Sequence, residues 1–373
     1  MSPAGYNPRA ARAPDYLRQG TWNRTMNPKD ALLAMLHDPV DSLRCAVREV
    51  PQWAWFALGI DASRVGYGRG PLAWRRASRH RCLERPVHIC LLEPPGSGPF
   101  GRMTAFSINE RSACCRASLN EGVEEADVVW TYCQDPLSDE LKARLRAEIG
   151  RARPDARVIN DPDFYNSYHE TGVFGKLTEA GAPVPRTDFG EADKGRTLVV
   201  YKQIGAHSAP KELTEYDGPR PGYRAFEFVD GRDAQGRYAR YRGYYMAGLV
   251  GAGTVVYSSE WNAYSRTYVA YDRTFQVQPA EEEGMRRIAE ALNIQYFATD
   301  FLRRRSDGMP VFVDINVYPR VLTTRSPTLG PRYYGQWHSF GVALRFGGLG
   351  PGCRSLWDLF DEAMLRFAGK APP

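Results

Sequence analysis

Three oxygen-bearing side chains stand close together late in the sequence: Asp300, Asp314 and Asn316, all within YFATDFLRRRSDGMPVFVDINVYPR, Tyr296 to Arg320. The apolar runs Phe297–Leu302 and Pro310–Ile315 flank a charged turn, Arg303–Gly308, and together they read as a β-hairpin. Strand side chains alternate, so Asp314 and Asn316 share a face, and antiparallel pairing can bring Asp300 beside them. Two carboxylates and an amide form a partial shell of hard oxygen ligands. That suits Mg²⁺, which completes its shell with water and phosphate oxygens. The competing reading is a set of ordinary polar residues on a solvent-facing hairpin. Asp314 weighs against it by interrupting the run Val311–Val317, because a strand buried on both faces does not tolerate unpaired charge.

The elements that must position this cluster lie upstream. Thr197–Tyr201 is β-branched and aromatic, reads as a strand and ends in Lys202, which opens the small-residue turn Gly205–Ala209 with His207 inside it. Such a turn folds over phosphates and donates backbone N–H groups while the lysine supplies charge. Tyr223–Asp230 reads as a further strand; its Phe228 and Val229 offer an apolar slot with backbone donors and acceptors, and Glu227 a side-chain acceptor. Strand geometry over Gly236–Arg242 places Arg240 and Arg242 on one face and Tyr241 on the other. Ala280–Leu292 has acids first and arginines later, with Ile288, Ala291 and Leu292 as the apolar face of a helix. Each piece also has a plain reading as solvated strand, loop or surface charge.

The ordered set resembles the ATP-grasp fold of carboxylate-amine ligases, over roughly Asn160 to Ser326. Its members are the turn Gly181–Thr187, Lys202, the loop, Glu227 with its strand, the arginine strand, the helix, and the Asp hairpin ending in Asp314-x-Asn316. The resemblance implies ATP and Mg²⁺ as cofactors, with Asp300, Asp314 and Asn316 at the metal. It implies Lys176, on a helix read over Tyr168–Ala180, and Lys202 at the phosphates with His207, and Glu227, Phe228 and Val229 at the adenine. Arg242 would meet the transferring phosphoryl group, and Arg320 or Arg325 would hold an acidic substrate group. The implied reaction activates a carboxylate as an acyl phosphate and joins it to an amine. Four positions depart from the family: Asp314 stands where Glu is usual, Ala206 and Ser208 alter the phosphate loop, and Ala298 replaces the arginine of D-alanine ligases. Ser258–Asn262 matches a Ser-x-x-Trp-Asn pattern of the same branch, with no chemistry attached beyond a substrate loop.

Before Asn160, Val87–Leu92, Ala126–Tyr132 and Arg157–Ile159 read as strands and Ser138–Arg151 as a helix capped by Ser138. Strands alternating with a helix argue for a small parallel α/β domain. The expected organisation is therefore mixed, α/β and α+β. It comprises an N-terminal extension over 1–85, partly helical after a poorly ordered arm, and an α/β pre-ATP-grasp domain over 86–160. A small lobe over 161–230 and a large lobe over 231–373 form the two-lobed nucleotide-binding region.

Composition leaves these readings open. The 373 residues permit several cores, and the formal net charge of +6 suits anionic ligands without choosing nucleic acid; the Gly/Arg tract Tyr67–Cys82 accompanies no recognised nucleic-acid module. The seven cysteines lack CxxC pairing, which argues for reduced thiols. No stretch approaches the ~20 apolar residues of a membrane span. A cytoplasmic protein is expected, acting on small carboxylate and amine substrates or a peptide, a homo-oligomer being compatible. The alternatives are a peptide- or protein-modifying ligase, with Trp53, Trp55 and Trp74 as a recognition surface, and a nucleotide-binding module that has lost catalysis.

Overall fold

The computed structural model describes residues 85–94, 112, 114–133, 136–170, 172–204, 211–262, 268–272, 275–317 and 356–371, with isolated positions between 101 and 109. The expectations for residues 1–84, for the loop Gly205–Ala209 with His207, and for Arg320 and Arg325 lie outside the described residues.

The first sheet is parallel, with strands β1 (Val87–Leu92), β2 (Cys115–Leu119), β3 (Val128–Thr131) and β4 (Arg157–Ile159) in the order β2-β1-β3-β4. All six residues of β1 are buried, as a strand covered on both faces requires. Helix α1 (Asp139–Ile149) makes the crossover between β3 and β4; Ser138 caps it by accepting from the Leu141 N–H at 3.2 Å, and Asp139 and Glu140 complement its dipole. Strand β2 was not legible in the sequence, because CRASL carries no sustained apolar run. Cys90, Cys114, Cys115 and Cys133 are buried and form no disulfide.

The second sheet is antiparallel and small: β5 (Leu198–Gln203), β6 (Lys211–Glu215) and β7 (Tyr223–Glu227), in the order β6-β5-β7, over a core of Val199, Tyr201 and Tyr216. Helix α2 (Val173–Glu179) precedes it and begins five residues later than the sequence suggests. Gly172, at φ 85°, breaks the helix, which leaves Tyr168 in a separate 3₁₀ turn, Ser167–His169.

The third sheet contains β8 (Tyr238–Met246), β9 (Leu249–Ser258), β10 (Tyr268–Asp272), β11 (Tyr296–Arg303) and β12 (Pro310–Asn316), in the order β10-β9-β8-β11-β12. Every neighbouring pair is antiparallel. Helix α3 (Pro279–Leu292) links β10 to β11 and buries Met285, Ile288 and Leu292. It sits so close to β12 that a Cβ on Gly284 would fall 2.3 Å from the Phe312 ring. Helix α4 (Leu356–Phe367) buries Phe360, Ala363, Met364 and Leu365 in one core with Val87, Ile89 and Leu91 of β1.

Asn160 ties the parallel sheet to the third one. Its backbone is left-handed, at φ 54°, and its buried amide donates to the Tyr296 and Val317 carbonyls at 2.7 and 3.0 Å. The amide oxygen accepts from the Gln295 and Tyr296 N–H groups at 3.0 and 2.9 Å.

Candidate active site

Antiparallel register sets three charges in a row across adjacent strands: Arg242 on β8 faces Asp300 on β11, and Asp300 faces Asp314 on β12. A bulge follows at once, so that Phe301 pairs with Phe312. It leaves Val313 unpaired and changes the strand's aim beside the carboxylates. Arg242 Nη1 donates to Asp300 Oδ1 at 3.0 Å, and Arg240 Nε lies 3.8 Å from Asp300 Oδ2. The expected sharing of one face by Arg240 and Arg242 is thus observed, and Tyr241 is buried on the opposite side.

Both oxygens of Asp314 have donors nearby. Tyr168 Oη donates to Oδ1 at 3.4 Å, Lys202 Nζ lies 4.0 Å from the same oxygen, and Asn316 Nδ2 donates to Oδ2 at 3.5 Å. Thr299 Oγ1 fixes the strand by donating to the Asp314 carbonyl at 2.7 Å. Burial alone would raise the Asp314 carboxyl, but Lys202, Lys211, Arg242 and Arg240 outweigh it and hold the group below the usual carboxylate range. Burial and then the Asp314 charge push the Tyr168 phenol well above its ordinary value, so Tyr168 stays a donor.

Lys211 is the residue the sequence reading missed. It stands directly opposite Lys202 across β5 and β6, and both line one cleft. Part of its side chain is open to solvent, yet surrounding protein and then the Lys202 charge lower its ammonium pKa, against the pull of Asp314 and Asp300. The signal was present: Lys211 is where the chain returns from the small-residue loop that Lys202 opens. Lys176 is not brought into the cleft. It is exposed on α2, whose buried positions are Val173, Phe174 and Leu177.

The cleft lies between the second and third sheets. Lys202, Lys211 and Arg240 form its cationic side; Val200, Phe226, Phe228, Val229 and Leu302 supply an apolar slot. Glu227 lines it as well, its Oε2 accepting from the Arg186 N–H at 3.3 Å. The N–H groups of Glu227 and Phe228 already donate to the Arg186 and Leu198 carbonyls at 2.8 and 3.0 Å. Trp261 and Asn262, from the Ser-x-x-Trp-Asn stretch, line the same cleft.

The donor set defines what cation would fit. Among the described residues no group of three His, Cys, Asp or Glu side chains converges to hold a metal. Asp300, Asp314 and Asn316 offer two carboxylates and an amide in register on one face, and Asp300 is shared with two arginines. This fits a hard cation that arrives with phosphate and water oxygens, not a fully protein-caged ion.

No family model matches the sequence, and no curated protein is similar to it. Among solved structures the chain is similar to the ATP-grasp ligase PsnB complexed with minimal precursor, Mg and ADP. That likeness has 14% identity and a TM-score of 0.45 and covers 74% of this chain and 98% of the other. It is similar to the macrocyclase MdnB from Microcystis aeruginosa MRC, with 13% identity, TM-score 0.43 and coverage of 74% and 99%. A third likeness is to D-alanine--D-alanine ligase from Bacillus anthracis, with 12% identity, TM-score 0.43 and coverage of 76% and 99%.

Proposed function

We propose that the chain is an ATP-dependent, Mg²⁺-requiring ligase of the ATP-grasp type that activates a carboxylate as an acyl phosphate and joins it to an amine. One observation carries this reading. A single cleft joins an apolar slot to a lysine pair, and beyond the lysines lie the carboxylates Asp300 and Asp314 with Arg240 and Arg242. An apolar, planar head on a polyanionic tail is the ligand such a cleft complements.

Charge supports the same ligand. Lys202, Lys211, Arg240 and Arg242 bring four positive charges against the three of Asp300, Asp314 and Glu227, an excess that suits an anionic ligand such as a magnesium nucleotide. In this reading Lys202 and Lys211 hold phosphate oxygens as point charges, and Arg242 faces the transferring phosphoryl group. Asp300, Asp314 and Asn316 would hold Mg²⁺, which would supply positive charge against the charge that develops in phosphoryl transfer. Glu227 accepts from an exocyclic amine, and Val229 presents backbone to the base edge. A carboxylate oxygen of the substrate forms a bond to the γ-phosphorus as the bond to the ADP oxygen breaks. The amine then bonds to the acyl carbon as phosphate leaves with the carbon–oxygen electron pair, and the amine's proton passes to solvent. Phosphoryl transfer asks mainly for position and charge, so no Ser, Cys or His nucleophile is needed. A cytoplasmic setting accompanies this reading.

An ADP-release screen with Mg²⁺, pairing small carboxylates, amino acids and peptides with amines, tests it against an Asp300→Ala control. Release that depends on both substrates and is lost in the control is expected. Equal release in the control would refute the site. ATP binding without release from any pair would favour a nucleotide module that has lost catalysis.

A further inference from the structure

The stretch Ser258–Asn262 has no part in the chemistry above, yet it delivers Trp261 and Asn262 to the cleft. Its path is set at the end of β9: Ser258 is fully buried and its hydroxyl accepts from the Glu260 N–H at 3.1 Å, which turns the chain back over the slot. Trp261 is half-buried, and its ring meets Phe228 with centroids 6.4 Å apart and planes 83° apart. Two aromatic rings at right angles form a corner. A flat heteroaromatic ring that stacks on one of them presents its face there and meets the edge of the other, which satisfies both quadrupoles.

We propose that Trp261 is a base-recognition residue: with Phe228 it forms an aromatic corner that seats the purine of the nucleotide. This rests on the nucleotide reading of the cleft and extends it to a loop of the third sheet. Val200, Phe226, Tyr238 and Leu302 line the same slot and add contact area. The cationic side of the cleft is separate in sequence and strand, so loss of the indole removes affinity for the base and leaves the grip on phosphates.

Titration calorimetry with ATP and with inorganic tripolyphosphate, each with Mg²⁺, tests this on the full chain and on Trp261→Ala and Trp261→Phe. Base–aromatic stacking corresponds to about 5- to 150-fold in affinity. Trp261→Ala is expected to raise the Kd for ATP by at least ~5-fold with the tripolyphosphate Kd changed less than ~2-fold, and Trp261→Phe to recover part of the loss. Unchanged ATP affinity in Trp261→Ala overturns the proposal and leaves the cleft reading standing. So does an equal loss for both ligands, because that is a general disturbance of the site. Failure of the unaltered chain to bind either ligand overturns the nucleotide reading and this proposal with it.

Discussion

Replacing Lys211 with Met should move stability and ligand affinity in opposite directions. Lys211 and Lys202 are directly opposed across β5 and β6, and like charges so placed are destabilising. Burial and Lys202 together outweigh the attraction of Asp314 and Asp300, since the ammonium pKa is lowered on balance. Met keeps the length and apolar stem of the side chain and removes the charge. Relief of one cross-strand repulsion, partly screened at the cleft mouth, is worth about 0.5–1 kcal/mol. In a chain of this size that is about 1 °C in Tm without ligand. The same change removes a cation from the phosphates. A hydrogen bond to a charged group is worth about 1.5–3 kcal/mol, so MgATP affinity falls about 10- to 150-fold. The sign with pH follows from linkage. A lysine whose folded pKa lies below its unfolded value costs stability at all pH below the folded pKa, and the cost lifts as pH rises toward ~10.4. Lys211→Met should therefore gain most at neutral pH and lose its advantage at the alkaline end. Differential scanning fluorimetry without ligand, paired with calorimetric titration of MgATP, reads both quantities. A lower Tm with unchanged nucleotide affinity would show Lys211 to be a structural lysine and refute the reasoning.

Asn160→Ala removes an amide that satisfies four backbone groups, of which the Tyr296 N–H and carbonyl lie in a buried strand, and it leaves a non-glycine residue at φ 54°. A loss of about 4 kcal/mol is expected, read by urea denaturation; a loss under ~1 kcal/mol would contradict the clasp. His88 is buried in the parallel sheet, and burial followed by the Arg116 charge lowers its pKa to about 4. A histidine with a depressed folded pKa leaves stability whole above its unfolded value of ~6.5 and drains it as pH falls toward the folded one. About 3 kcal/mol should be lost across that window, and His88→Gln should flatten this part of the pH–stability curve; an unchanged slope would refute the assignment. Tyr168→Phe removes the hydroxyl donor to Asp314 Oδ1 and should raise the Mg²⁺ concentration needed for half-maximal ADP release several-fold, with little change in Kd for Mg²⁺-free ATP. An unaltered Mg²⁺ requirement would remove Tyr168 from the site.

Much of this arrangement was legible because strand periodicity is local. The facing of Asp300, Asp314 and Asn316 and the common side of Arg240 and Arg242 follow from period two and a hairpin turn. What the sequence did not disclose depends on contacts between distant segments. Lys211 enters the site through its pairing partner on β5, Tyr168 because Gly172 delays α2, and Trp261 because Ser258 turns the chain at a sheet end. Lys176 stays exposed on α2, whose inward positions are Val173, Phe174 and Leu177. Strand β2 escaped because CRASL has no sustained apolar run, and its pairing with β1 joins segments distant in sequence.

The central claim is that Asp300, Asp314 and Asn316 grip a cation carried by a triphosphate. Equilibrium titration of ATP into the unaltered chain and into Asp314→Asn, each with Mg²⁺ and again with a chelator, addresses it directly. The unaltered chain should bind ATP at least ~10-fold more tightly with Mg²⁺, about the worth of one charge-assisted contact, and Asp314→Asn should lose that difference. Equal affinity with and without Mg²⁺, or a Mg²⁺ effect that survives in Asp314→Asn, would contradict it.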